Sequence, residues 1–378
     1  MSARPRLLIL SFSDIRSDAR VLRQVRLLRD DYELTTCGYG EAPEGVAAHV
    51  RIPDELVHWH KDRLLLLQRR YAAVYRSNAV VAHLGERLPR DHFDIVLADD
   101  ADTVPLALSL RPRLGVHADL HEYAPRQNEE SRRWRWFVAP YYRWLVRTFV
   151  TRAASVSTVG AGLAAEYRRE FGVEARVVVN AAPFRDAEPG AVADPVRLVH
   201  SGLARRNRQL EVMTEAVERT TADVTLDLYL MPNDPAYLDE LKERTAGSAR
   251  VTVRDPVPHD ELATTLAAYD VGVFVLPPLT FNYRWTLPNK FFDFVQARLG
   301  ILVGPSPEMA GLVREHGLGA VTDGFATEDL VRALDRLDRE EVAAWKRASH
   351  AVASELSAEE QVQGWARALE EIAARRQD

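Results

Sequence analysis

A single cysteine, Cys37, in 378 residues leaves nothing from which to build a disulfide framework or a cysteine metal cluster, and it is compatible with a reducing compartment. A formal net charge of −6 gives no general support for nucleic-acid binding, so no nucleic-acid partner is expected. No apolar run reaches the roughly 20 residues needed to span a bilayer. The opening residues lead almost directly into a strand and lack a signal-peptide cleavage pattern, so cytoplasmic residence is the expectation. No solenoid period recurs, and no glycine-rich dinucleotide fingerprint follows the first apolar run.

What is there describes a globular protein: 47% hydrophobic and 28% charged residues. The length exceeds the size at which one core stops growing, which predicts two domains. Residues 185–195, rich in Ala, Pro, Gly and Asp, are the best linker candidate. The expected division is residues 1–190, residues 191–357, and a last helix within 358–378 that packs back on the first domain. Val362, Trp365, Leu369 and Ile372 lie close to one face of that helix. Both halves alternate short apolar runs with amphipathic segments, the pattern of α/β domains built on parallel sheets.

In the first half, residues 6–12 read as a buried strand, 19–29 as a helix, and 32–37 as the next strand. Ligands of open α/β sheets sit beyond the carboxyl ends of strands. Ser13, Asp14, Arg16 and Asp18 therefore fall where a site belongs, although Asp18 is equally a helix cap. Asp99, Asp100 and Asp102 end another strand, but they are sequential rather than convergent. Asp102 or Thr103 is read as a cap for the following helix, and metal independence is expected. His121 and Glu122 follow the strand 114–120, while His117 within it reads as structural. In residues 132–147 arginines alternate with aromatics around Pro140. Such a composition suits packing of the rings with arginine stems over the edge, or contact with an anionic membrane face or a lipid-linked acceptor.

In the second half, Gly202 follows a strand and permits close backbone approach, and Arg205 and Arg206 supply forked cationic donors suited to diphosphate. The apolar run 271–276 then leads through a polar loop and Pro288 into a helix. Asn289 and Lys290 occupy its first turn and Asp293 the next. A cation, a carboxylate and the free N–H groups of a helix start thus come together, groups that a diphosphate beside a sugar hydroxyl would use.

The stretch from Leu287 to Asp293, followed by Ala297–Gly300 and Ile301–Val303, resembles the donor-site signature of GT-B glycosyltransferases, particularly the retaining glycosyltransferase family 4 (glycosyl transferases group 1). The usual helix glutamate is here Asp293, and Trp285 stands where a second acid is customary. Asp18-Ala-Arg-Val21, Asp119-Leu-His-Glu122 and the turn at Asn180 are similar to further segments of that family. The resemblance implies two Rossmann-like domains facing across a cleft, with a nucleotide-diphosphate sugar as donor substrate and no cofactor. It implies sugar transfer to a small-molecule, glycan or lipid-linked acceptor hydroxyl with retention of configuration. Donor contacts are expected from Gly202, Arg205, Arg206, Val257, Asn289, Lys290 and Asp293. Acceptor-side contacts are expected from Ser13, Asp14, Arg16, Asp18, His121, Glu122 and Asn180. Arg205 and Lys290 are expected to hold the diphosphate through the reaction, and His121 to position substrate. A nucleotide-sugar 2-epimerase and a noncatalytic nucleotide-sugar-binding scaffold remain alternatives, and base, sugar, acceptor and oligomeric state are open.

Overall fold

Apolar runs flanked by amphipathic helices can bury both faces only as central parallel strands, and the chain does this twice. A computed structural model describes residues 4–374, apart from the side chains of residues 259 and 260. Its contacts divide into one unit of residues 4–179, 280–282 and 362–374 and a second of residues 180–279 and 283–361.

The first unit holds a seven-stranded parallel sheet of β1 (Arg6–Asp14), β2 (Glu33–Tyr39), β3 (Ala48–Arg51), β4 (Ile95–Asp99), β5 (Gly115–Leu120), β6 (Ser155–Thr158) and β7 (Ala175–Val177). Their spatial order is β3-β2-β1-β4-β5-β6-β7, so the chain reverses direction across the sheet between β1 and β4. Leu7, Ile9, Ile95 and Leu97 pack against Val21, Val25 and Leu28 of the helix Ala19–Leu28. Leu369 and Ile372 of the helix Gln363–Ala374 join that core, and Trp365 packs with Val178 and Val362. The final helix thus belongs physically to the first unit. The region around residues 58–84 is three short helices, Arg63–Leu67, Tyr71–Arg76 and Ala79–Arg87, with Asp62 and Asn78 capping the first and third.

The second unit holds a six-stranded parallel sheet of β8 (Val196–Leu203), β9 (Val224–Met231), β10 (Val251–Arg254), β11 (Val271–Phe274), β12 (Gly300–Val303) and β13 (Gly319–Val321). The order β10-β9-β8-β11-β12-β13 puts its reversal between β8 and β11. Leu198, Leu226, Leu228 and Val273 meet Met213, Ala216 and Val217 of the helix Glu211–Arg219. Asp270, buried at the start of β11, accepts from the buried Lys346 Nζ at 3.2 Å and from the Arg197 amide at 2.9 Å.

One glycine sets how closely the helix Asn289–Gln296 lies on this sheet. A Cβ on Gly272 of β11 would sit 2.3 Å from the Phe294 ring, which is fully buried. Gly272→Ala therefore forces that helix off β11. The expected loss is about 2 kcal/mol in urea unfolding, the scale of one methyl forced into a packed core, with the same change at the solvent-open Gly247 far smaller.

Candidate functional site

At each reversal point the two neighbouring loops run opposite ways, leaving a crevice at the carboxyl ends of the strands. In the second unit this is where charge collects. Lys290 stands in the first turn of the helix Asn289–Gln296, whose start no side chain caps. The residue is 8% exposed, and its ammonium lies 4.3 Å from the centre of the Phe274 ring at the end of β11. Nζ donates to His200 Nε2 at 3.2 Å. The other ring nitrogen, Nδ1, faces the Val273 carbonyl at 2.9 Å. A carbonyl only accepts, so Nδ1 carries the proton and Nε2 is a bare lone pair. Burial, and then the nearby Lys290 charge, hold His200 neutral by pushing its pKa well below the ordinary histidine value.

The backbone at Gly202 makes room for this ammonium. Gly202 has φ +147°, and a Cβ there would stand 2.5 Å from Lys290 Nζ and 3.7 Å from Arg208 Nη1. Arg208 closes a short 3-10 turn, Arg206–Arg208, after which Gln209 takes a left-handed conformation and the helix Glu211–Arg219 begins. Its guanidinium is largely enclosed, bonds to Tyr283, and leaves Nε buried with no hydrogen-bond partner among the described residues. Burial first, and repulsion from Arg208 second, pull the Lys290 pKa well below its ordinary value; Asp293, one turn along, pulls the other way. Two cations thus converge on one glycine, and the hydrogen-bond acceptor found for the lysine is an uncharged ring.

The expected donor residues fall unevenly on this geometry. Gly202, Lys290 and Asp293 are together, Asp293 being 8% exposed, and Asn289 is exposed at the helix start. Arg205 is exposed on the same loop, within electrostatic reach of Arg208. Arg206 is engaged elsewhere, bonded to Glu240 at 2.7 Å and lying over the Tyr237 ring. Val257 follows β10, the edge strand two positions from β8. Arg208 and His200 were not anticipated. Three nearby arginines offer no periodicity to separate them, and the left-handed Gln209 that closes their turn has no glycine to announce it.

The reversal point of the first unit is charged too, but internally balanced. Arg20 and Gln24, one helical turn apart on the helix that Asp18 caps, both reach the buried Asp119 at the end of β5. Arg20 makes a forked pair, Nε to Oδ2 and Nη2 to Oδ1, each 2.7 Å. Its guanidinium also lies 4.6 Å from the Trp365 ring centre. Gln24 Nε2 donates to Asp99 Oδ1 at 2.8 Å and Asp119 Oδ2 at 3.0 Å. Burial opposes the Asp119 charge, but Arg20 and His121 hold its pKa well below the usual range. Burial and then Asp119 push the buried Asp99 well above it.

His121 completes this group, its Nε2 3.7 Å from Asp119 and its Nδ1 3.7 Å from Asp100. The ring keeps a 24% window to solvent. Burial works against its charge, but Asp100 and Asp119 outweigh that and raise it to about 9, so at neutral pH it is an imidazolium. It is a donor there, not a base. Asp99, Asp119 and His121 are the described trio whose ligand atoms lie within 4.8 Å of one another. The forked Arg20 already occupies both Asp119 oxygens, so a metal ion would have to displace a buried guanidinium.

The other first-unit candidates are more local. Ser13 bonds Ser11, Asp14 accepts from the Arg16 amide, and Arg16 pairs with Glu41 on the surface. Asp18 receives the Arg20 and Val21 amides, the cap reading. Glu122 is exposed, with Asn282 Nδ2 at 3.5 Å. Asn180 opens the second unit, its side-chain oxygen buried without a hydrogen-bond partner among the described residues. Neither capping assignment holds at residue 104. Thr103 makes no side-chain cap and donates back to the Asp99 carbonyl, while Asp102 accepts from the Tyr142 hydroxyl at 2.7 Å. His117 is structural, its ring between Ser155 and Ser157.

The His121 charge has a measurable signature. Its stabilisation is present in full below 6.5 and is lost as pH rises through about 9. Unfolding free energy should fall by about 3 kcal/mol across that window. In Asp100→Asn the His121 resonance should titrate at lower pH by NMR, and the fall should shrink.

No protein-family model matches this chain, and no curated protein does. Solved structures do. HepE from Anabaena, in complex with UDP and glucose, aligns over 97% of this chain and 100% of its own at TM-score 0.71 and 14% identity. Sucrose-phosphate synthase from Thermosynechococcus elongatus aligns over 98% and 100% at TM-score 0.74 and 12% identity. The α,α-trehalose 6-phosphate synthase of Burkholderia multivorans aligns over 98% and 99% at TM-score 0.67 and 14% identity. With two parallel sheets matched across nearly the whole length of each, the chain has the two-domain GT-B fold.

Proposed function

We propose that this protein is a glycosyltransferase that moves a sugar from a nucleotide-diphosphate sugar to an acceptor hydroxyl, with retention of anomeric configuration. The observation that carries the reading is the buried Lys290 ammonium beside Arg208, over a glycine with no side chain to fill the space. Such a pair is costly in the empty protein and becomes favourable when a diphosphate supplies the missing negative charge. The neighbours support the same donor class, since HepE is known with UDP-glucose bound. A uridine nucleotide is therefore the first donor to test.

In the reaction the bond between the sugar's anomeric carbon and the diphosphate oxygen breaks, and its electron pair stays on the phosphate. Lys290 and Arg208, with Arg205 at the rim, hold that growing charge in place without reorganising. The acceptor oxygen forms the new bond, and its proton passes to a phosphate oxygen of the leaving group. Asp293, on the same helix face, accepts the ribose hydroxyls. The His121 imidazolium donates to an acceptor oxygen and orients it, consistent with its raised pKa.

Lys290→Met separates binding from folding. Removing a buried cation should leave the unliganded melting temperature unchanged or higher. It should weaken nucleoside-diphosphate binding by about 2–3 kcal/mol, roughly 30- to 150-fold. Arg208→Ala should weaken it comparably, and Asp293→Ala by about 1–2 kcal/mol through lost hydroxyl contacts. In the wild type, binding should weaken as pH rises, because Lys290 must be protonated to hold the anion. Thermal shift and calorimetry with UDP read these effects, and a panel of nucleotide sugars with chromatographic detection of product tests transfer. Unchanged UDP affinity in both cation variants contradicts the assignment.

A further inference from the structure

The arginine–aromatic segment divides in two. Trp134 stacks on Tyr142 with ring centres 5.5 Å apart, and Trp144 packs on Tyr141 and Phe149. Trp136 and Phe137 instead point outward, 71% and 40% exposed. The backbone explains the split. Pro140 has no N–H for the Trp136 carbonyl, and its ring would press on that carbonyl in a regular helix. The chain widens into a π-turn, Trp134–Val138, in which the Ala139 amide reaches back to the Trp134 carbonyl. The turn packs beside the helix Arg63–Leu67, where Leu64 and Leu67 are also exposed, and Trp59 precedes it.

Five of the nine large apolar side chains exposed among the described residues are in these two segments. Trp59, Leu67 and Phe137 share the rim of one pocket of about 900 Å³ with Arg63 and Arg133. Arg69, Arg70, Arg132 and Arg135 are exposed in the same segments. Residues 59–70 and 129–137 carry seven Lys or Arg against three carboxylates, in a chain whose net charge is −6. A cationic patch with protruding tryptophan and leucine, on an otherwise acidic protein, complements a surface that is negative outside and apolar just beneath.

We propose that this face of the first unit docks on an anionic lipid bilayer. Trp59, Leu64, Leu67, Trp136 and Phe137 enter the headgroup–acyl boundary, and the arginines pair with lipid phosphates around them. Among the described residues no helix is long and apolar enough to cross a membrane. The docking does not depend on the donor reading. If both hold, the pocket opens at the lipid surface, and an acceptor carried on a lipid reaches it without leaving the membrane.

Sedimentation of the full-length protein with vesicles tests this directly. It should bind vesicles of phosphatidylcholine with phosphatidylglycerol, release them as salt rises, and ignore phosphatidylcholine alone. The variant Leu64→Ser, Leu67→Ser, Trp136→Ser, Phe137→Ser should lose about tenfold or more in partitioning, as should Arg63→Glu with Arg132→Glu. Both should keep the wild-type circular dichroism and UDP affinity, and Met231→Ser, which removes an exposed apolar side chain of the second unit, should bind vesicles normally. No binding by the wild type, or equal binding by the patch variants, overturns the proposal. So does a concentration-dependent dimer that the apolar variant abolishes, which would give the patch to a second copy.

Discussion

The ammonium of Lys290, buried against a neutral imidazole and pressed by a second cation, is the constraint around which the second unit is arranged. Each feature that permits it would be a poor choice otherwise. Gly202 removes the side chain that would fill the space, Gly272 lets the helix carrying the lysine lie against β11, and His200 is bonded so that only a lone pair faces the charge. Stability alone favours an apolar residue at 290. The chain nonetheless keeps a cation there, buried beside a neutral ring.

The first unit solves the same topological problem with the opposite outcome. Its reversal point also gathers charge, but Arg20 and Asp119 neutralise each other through a forked pair, and Gln24 ties in Asp99. Trp365 from the last helix covers the guanidinium. What emerges to solvent is the edge of His121, held positive by the acids beneath it. The first reversal point is thus internally balanced and offers a single donor, while at the second two cations, Lys290 and Arg208, crowd one glycine.

Much of this was legible in the residues, and the failures have physical reasons. The buried strands around Leu8, Leu97, Leu198 and Val273 announce themselves as apolar runs, and Pro288 marks the helix that presents Lys290 and Asp293. The edge strand Ala48–Arg51 has no apolar run, being half-exposed, and was not foreseen. Arg208 was hidden among three closely spaced arginines whose turn is closed by a left-handed glutamine rather than a glycine. Arg20 and Asp119 are 99 residues apart in sequence, and only the parallel sheet brings them together. Pro140 was visible, but that it would widen a turn and send Trp136 outward while Trp134 stayed packed depended on tertiary context. Asp102 shows the reverse case: a capping residue by type, claimed instead by a tyrosine hydroxyl.

The most direct measurement is a crystal structure with UDP bound. Both phosphates should lie in the crevice between β8 and β11, one within hydrogen-bond distance of Lys290 Nζ and the Arg208 guanidinium, with the ribose hydroxyls on Asp293. A nucleotide bound with its phosphates remote from Lys290 and Arg208 would contradict it.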